Sequence, residues 1–157
     1  MTDDLEGGCA CGAVRYRLAS APIVVHCCHC RFCQRMSGSA FGLNALIESD
    51  RLALVGETEP EPIMTPSTHP RGQVWRRCPR CRVAVWSEHA ELGPSVPIIN
   101  VGTLDRPERL LPDVHCWTAS KHPWILLPEG VPAFAGDYDT DVVGSEDAKA
   151  RIADALA

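Results

Sequence analysis

Eight of the nine cysteines in this 157-residue chain fall into three tight groups. Cys9 and Cys11 form a Cys-x-Cys, Cys27 to Cys33 a Cys-Cys-His-Cys-x-x-Cys, and Cys78 with Cys81 a Cys-x-x-Cys. Thiolates so closely spaced can converge on one tetrahedral ion at about 2.3 Å each, the way zinc organises small folds. The fold must therefore bring segments far apart in sequence together at metal centres. If the two outer pairs, Cys9/Cys11 and Cys78/Cys81, close one four-thiolate site, the central cluster is left to build a second. A site of three thiolates has a coordination position to spare.

The length suits one domain, long enough for a hydrophobic core and short enough for a structural ion to add materially to stability. The opening Met1-Thr2-Asp3-Asp4-Leu5-Glu6 is acidic and lacks the apolar run of a secretory signal. The odd set of nine cysteines is accordingly expected to be reduced thiols and metal ligands in a cytoplasmic protein rather than a disulfide framework. Proline and charged residues interrupt every hydrophobic run, so no membrane span is expected. A net charge of -5 argues against nucleic acid as a partner. The local run Arg71, Arg76, Arg77, Arg80 and Arg82 is expected to be a solvated face, with an anion or carboxylate site as the alternative.

Short strands dominate. Val14, Tyr16 and Leu18 alternate with Arg15 and Arg17, the period of a half-buried strand across Ala13 to Leu18. Ile23 to His26 forms a second strand that runs into the central cluster. Others are predicted at 40–47, 52–55, 73–77, 83–87, 97–101 and 114–117, separated by Gly and Pro turn signals. Residues 57–70 hold four of the 13 prolines and are predicted as a surface loop with at most a short edge strand, a candidate lid. Arg31 to Ser37, stopped by Gly38, is predicted as a short helix carrying Cys33 about one turn from Cys30. Ser145 before Glu146 and Asp147 marks a helix start, with Ala148, Ile152, Ala155 and Leu156 as its weak apolar stripe. Residues 1–140 are taken as a single zinc-binding domain and 141–157 as a C-terminal tail with a short helix.

Gly7, Gly8 and Gly12 let the chain turn around an ion at Cys9 and Cys11, and Cys78-Pro79-Arg80-Cys81 has the form of a hairpin knuckle. Four thiolates leave no open position, so this ion is expected to be structural. The central cluster offers two registers. Cys27-x-x-Cys30-x-x-Cys33 is the start of a bacterial ferredoxin run, which would place a cysteine at position 37, where Ser37 stands. Cys28-His29-Cys30-x-x-Cys33 gives three thiolates with His29 as a further ligand or a supporting hydrogen-bond donor, and is preferred.

Several ordered motifs carry a resemblance. They are Gly8-Cys9-Ala10-Cys11-Gly12-Ala13-Val14-Arg15-Tyr16, Cys28-His29-Cys30-Arg31-Phe32-Cys33-Gln34-Arg35-Met36-Ser37-Gly38-Ser39-Ala40-Phe41, Cys78-Pro79-x-Cys81 and Val101-Gly102-Thr103-Leu104-Asp105. Pro112-x-x-His115 and Pro123-Trp124 follow. From about Gly7 to Phe134 the chain resembles the glutathione-dependent formaldehyde-activating enzyme family, which includes the centromere protein V group. The resemblance implies a mainly β, Mss4-like β-tent zinc-binding fold with short helices and two zinc ions per chain. By matching positions, Cys9, Cys11, Cys78 and Cys81 would hold a structural zinc, and Cys28, Cys30 and Cys33 a catalytic one. The chain departs from the family pattern at Arg82, where a glycine usually follows the second knuckle cysteine. A side chain makes a left-handed turn there more costly.

Three thiolates bring a charge of about -3 to a +2 ion and weaken it as a Lewis acid, so water activation is not its best task. A soft site with one open position suits an incoming thiol held as thiolate. The expected partners are a glutathione-like thiol and a small aldehyde such as formaldehyde, joined by a carbon-sulfur lyase. The competing class is a non-catalytic interaction module with two structural zincs, in which Cys27, His29 or Cys116 would supply a fourth ligand. His115 and Asp105 are candidates to reach the cleft. Cys27 and Cys116 are expected to be small buried hydrophobes, and Trp75, Trp86, Trp117 and Trp124 core or cleft-wall residues.

Overall fold

The computed structural model describes residues 5–157. Strands β1 (Leu5–Gly8), β2 (Arg15–Leu18) and β5 (Leu52–Leu54) form an antiparallel sheet in the order β1-β2-β5. A seven-stranded sheet is built from β3 (Val24–Cys28), β4 (Gly42–Leu46), β6 (Glu61–Thr65), β7 (Gln73–Arg77), β8 (Ala84–His89), β9 (Ile98–Asn100) and β10 (Val114–Cys116). Its order is β10-β3-β4-β9-β8-β7-β6, antiparallel throughout except for β10 beside β3. The expected mainly β class is observed.

The larger core joins the two sheets. Alternation along β2 turns Tyr16 and Leu18 inward, where they meet Ala45, Val85, Trp86 and Ile99 of the large sheet. Tyr16 stands edge-on to Trp86 with ring centroids 5.8 Å apart, and its buried hydroxyl bonds Thr103 Oγ1 at 2.7 Å. A Cβ on Gly7 would come within 2.6 Å of both that hydroxyl and the Thr103 carbonyl oxygen, so β1 can lie this close only with glycine there. On the outer face Arg15 grips Asp105 with two hydrogen bonds and Arg17 grips Glu6.

Helix α1 (Arg31–Ser37) and the two C-terminal helices, α2 (Thr140–Val143) and α3 (Glu146–Leu156), complete the regular structure. Ser145 caps α3 by accepting from the Ala148 amide. Ala148, Ile152 and Ala155 pack on Ile23, Val24, Leu46 and Val114, while Arg151 holds Glu48 through two charged hydrogen bonds. The tail helix thus docks on the large sheet.

The proline-rich segment supplies β6, an edge strand paired with β7, and Pro62 occupies it without needing an N–H for a further neighbour. Strand β1 was not predicted, because two of its four residues are glycines that suggested turning rather than pairing. Of the tryptophans, Trp75 and Trp86 are buried as expected, whereas Trp117 is 38% and Trp124 69% exposed. No helix among the described residues is long and apolar enough to cross a membrane.

Candidate metal centres

Each outer cysteine pair occupies the turn of a hairpin, one from each sheet. Cys9 and Cys11 lie between β1 and β2, where the Cys9 amide bonds the Val14 carbonyl and Gly12, at φ 76°, turns the chain. Cys78 and Cys81 lie between β7 and β8 in the same arrangement, with the Cys78 amide on the Val83 carbonyl. Here Arg82 adopts φ 63°, the left-handed conformation normally left to glycine. The turn is held by its amide on the Cys78 carbonyl, by Arg77 on its own carbonyl and by its guanidinium on Glu61.

The four sulfurs converge within 4.8 Å of one another, with Cys9 to Cys11 at 3.5 Å and Cys11 to Cys78 at 3.7 Å. The sulfur-sulfur edge of a tetrahedral zinc thiolate site is about 3.8 Å, so the donor set fits such an ion. Backbone amides already point at the sulfurs: Val14 donates to Cys9 at 3.3 Å and Arg80 to Cys78 at 3.4 Å. The Val83 amide, followed by the Cys11 amide, lowers the Cys81 thiol to about 6. At Cys11 the Ala13 amide acts in the same direction and is the largest single influence, but Cys9, burial, Cys81 and Cys78 together outweigh it and push the thiol up to about 11. Four sulfurs this close cannot all become anionic without a cation among them.

Strand β3 delivers the central cluster, and its alternation sorts the cluster onto two faces. Cys28 points to the same side as Cys30 and Cys33, and these three sulfurs again lie within 4.8 Å of one another. Cys30 caps α1 by accepting from the Cys33 amide at 3.3 Å, and one helical turn brings Cys33 back beside it. A Cβ on Gly42 would press to 3.2 Å from the Cys33 Cβ, so β4 leaves room for this thiol. The Cys28 thiol is held far below the usual range by the Cys116 thiol first and then by Cys30 and Cys33. The Cys33 thiol is pushed well up by Cys28 and Cys30 in turn. The Cys30 thiol is raised as well, by Cys28 first, so the three sulfurs resist ionising together unless a divalent cation sits among them.

On the opposite face Cys27, His29 and His115 form a third buried group. His29 Nε2 lies 3.0 Å from His115 Nδ1 and 3.7 Å from Cys27 Sγ. Burial lowers both imidazoles and so favours their neutral forms, with one N–H in the contact between them. Burial also pushes the Cys27 thiol up to about 12. These side chains face away from the three-thiolate group. His29 supports it through its backbone instead, its carbonyl accepting from Gln34 Nε2 at 2.8 Å and Ser120 Oγ at 2.9 Å. Asp105 belongs to neither cysteine group and is engaged by Arg15.

Sequence reasoning missed the polar chain beside the three thiolates. Asn44 Nδ2 lies 3.2 Å from His26 Nε2 and also bonds the Gly42 carbonyl, and His26 Nδ1 lies 2.8 Å from Tyr138 Oη. Donation from Asn44 leaves the His26 proton on Nδ1, which then donates to Tyr138. The tyrosine's own proton remains available to another acceptor. Its ring packs against Cys28, Cys30 and Cys116. No local motif marks Tyr138, which lies 112 residues from His26.

The chain is similar to proteins already known. A Halomonas elongata protein named for glutathione-dependent formaldehyde activation is 28% identical over 153 residues, covering 88% of this chain and 91% of its own. A crystal structure of a Rhodobacter sphaeroides protein shares 18% identity over 82% of this chain and 98% of its own, with a TM-score of 0.49. Residues 4–120, which include every cysteine of both thiolate groups, match the sequence model of one family. The chain belongs to the glutathione-dependent formaldehyde-activating enzyme family.

Proposed function

We propose that the protein is a zinc-dependent carbon-sulfur lyase that adds a glutathione-like thiol to formaldehyde or a related small aldehyde. In this reading Cys9, Cys11, Cys78 and Cys81 hold a structural zinc, and Cys28, Cys30 and Cys33 hold a second ion with a place for substrate. The carrying observation is the second group itself: three converging sulfurs, of which Cys33 is only partly buried. An ion bound there would keep an incoming thiol in its nucleophilic thiolate form at neutral pH.

The remaining work falls to the chain's own residues. Addition forms a sulfur-carbon bond, moves the carbonyl electron pair onto oxygen and places the thiol proton there, giving an S-hydroxymethyl adduct. In this reading Tyr138, whose ring packs beside the thiols and whose hydroxyl proton is left over by His26, donates to that oxygen as its charge develops. Gln34 and Ser120 hold the His29 carbonyl and so fix the segment between Cys28 and Cys30.

Exchange spectroscopy by NMR, with formaldehyde and glutathione, measures addition and reversal without a coupled enzyme. The metal-replete protein is expected to exceed both the spontaneous rate and a Cys30→Ser control, with Tyr138→Phe slower than wild type by about tenfold at unchanged zinc content. Wild type indistinguishable from Cys30→Ser would remove the activity. The second reading, a non-catalytic zinc-binding interaction module, is favoured by a fourth thiol, Cys116, beside Cys28. A second zinc that keeps four protein sulfurs in excess glutathione would select it.

A further inference from the structure

We propose that Cys116 is a replaceable fourth sulfur ligand of the second metal site, completing the coordination when no substrate thiol is bound and yielding its place to the incoming thiol. Ligation by Cys116 stands on the three-thiolate group alone, whereas the exchange rests on the thiol-adding function proposed above.

The placement follows from strand pairing. β10 runs parallel to β3 in a register that sets His115 opposite Cys27 and Cys116 opposite Cys28. Neighbouring residues in register point to the same face. His115 therefore joins the histidine face, and Cys116 joins the thiolate face, where it is 2% exposed and packs with Cys28 and Cys30. Its side chain packs in one cluster with Cys28, opposite it in the register, yet its sulfur is not one of the three that lie mutually within 4.8 Å. It stands beside the site, on the same face as its three sulfurs.

The backbone at Cys116 is fixed. Its carbonyl accepts from the His29 amide at 3.0 Å, and the preceding residue bridges to Ala133. Moving the sulfur inward thus needs rotation about one side-chain bond, a change between staggered positions rather than a rearrangement of strands. The other spare thiol of the central region, Cys27, cannot substitute, because it lies on the opposite face against His29.

Exchange conserves charge. The metal bond to Cys116 breaks as the bond to the substrate sulfur forms, and the substrate's thiol proton passes to the released Cys116 sulfur. A zinc closed by four thiolates excludes water and hard oxygen nucleophiles, so entry is reserved for a ligand as soft as the one displaced. Cys116 then sets specificity for thiols.

X-ray absorption on the zinc protein counts sulfur neighbours and does not depend on turnover. With both sites filled, wild type without added thiol is expected to show four sulfurs per zinc, against an average of about 3.5 if the second ion has only three. Cys116→Ala is expected to fall to that lower average and to bind its second zinc at least tenfold more weakly, while Cys27→Ala keeps the wild-type count. A selenol analogue of glutathione then marks the incoming ligand: in wild type a zinc-selenium shell appears as sulfur is lost. A wild-type average near 3.5, or an unchanged count in Cys116→Ala, overturns the ligation. Selenium binding without sulfur loss, or no selenium binding, overturns the exchange. Failure of adduct formation with the coordination changes intact would instead remove the thiol-aldehyde function and leave Cys116 as a ligand.

Discussion

Replacing Cys78 by serine tests whether the first metal group holds the two sheets together. Cys78 is fully buried, contributes to the core between the sheets and shares its site with a hairpin of the other sheet. Structural zinc sites in small peptides carry apparent binding energies of about 10–16 kcal/mol, all of it coupled to folding. A thousandfold loss of affinity on removing one of four sulfurs corresponds to about 4 kcal/mol, a large share of the ~5–15 kcal/mol that keeps a domain folded. At roughly 2–4 °C per kcal/mol for a chain of this size, the midpoint of thermal unfolding should drop by about 8–16 °C. The small sheet retains Tyr16 on Thr103 and Arg15 on Asp105 in the variant, so it should loosen rather than detach wholly. Circular dichroism on heating, with zinc counted by mass spectrometry, reads both effects. A Cys78→Ser protein that keeps two zincs and melts within about 2 °C of wild type would refute the reasoning.

At the second group, Cys30→Ser should lose its zinc and any thiol-aldehyde activity while the fold survives, and Cys27→Ser should do much less; equal losses in a zinc count and activity assay would show that the ligand register is wrong. Gly42→Ala should push Cys33 by a few tenths of an ångström and weaken the second zinc about tenfold in a chelator competition, leaving the first unchanged, because the new Cβ meets Cys33 and no residue of the outer pairs. Glu48 shows a pH dependence of definite sign. Burial is the largest single influence and raises its carboxyl, but Arg151, the Glu48 amide and Arg51 together outweigh it and hold the carboxyl below its ordinary 4.5. Its contribution is therefore complete above that value and disappears as pH falls through the lower folded value. Denaturant unfolding should show Glu48→Gln weaker than wild type by about 2 kcal/mol at pH 7, with the two curves converging in acid.

Ligand groups set by local spacing were legible in the sequence. Cys9 and Cys11, Cys78 and Cys81, and Cys30 and Cys33 each sit within one turn, so neighbours along the chain are neighbours in space. Period-two alternation likewise gave β2, and the Gln73–Arg77 strand matched residue for residue. What escaped notice depends on pairing between distant strands. The parallel register of β10 with β3 decides that Cys116 stands with the thiolates and His115 with His29, and alternation within either strand alone cannot choose that. His115, a candidate to reach the cleft, lies on the buried face beside His29. Tyr138 reaches His26 from a segment with no period or motif of its own. Arg82 shows the opposite case: the missing glycine was visible, and the left-handed turn persists because hydrogen bonds and Glu61 compensate for it.

The two metal groups differ in their mechanical setting, and that difference predicts the order in which they empty. The first group is closed by two hairpins from separate sheets, with Cys9 and Cys78 buried and two amides donating to their sulfurs, so releasing its ion means parting elements that share a core. The three sulfurs of the second group come from the end of β3 and the first turn of α1, a stretch of six residues from Cys28 to Cys33, with β4 as its floor and the replaceable Cys116 beside it on β10. An ion held there could leave without separating any two strands. Under a zinc chelator at fixed pH, release should therefore be biphasic: a fast phase of one ion with little change in circular dichroism, then a slow phase accompanied by unfolding. Thiols added beforehand should alter the fast phase alone, because they compete for the replaceable position, whereas every ligand of the first group is fixed on a hairpin that the core holds in place. Simultaneous release of both ions with loss of structure would mean that the second ion also holds the fold, and the division between structural and reactive metal would fail.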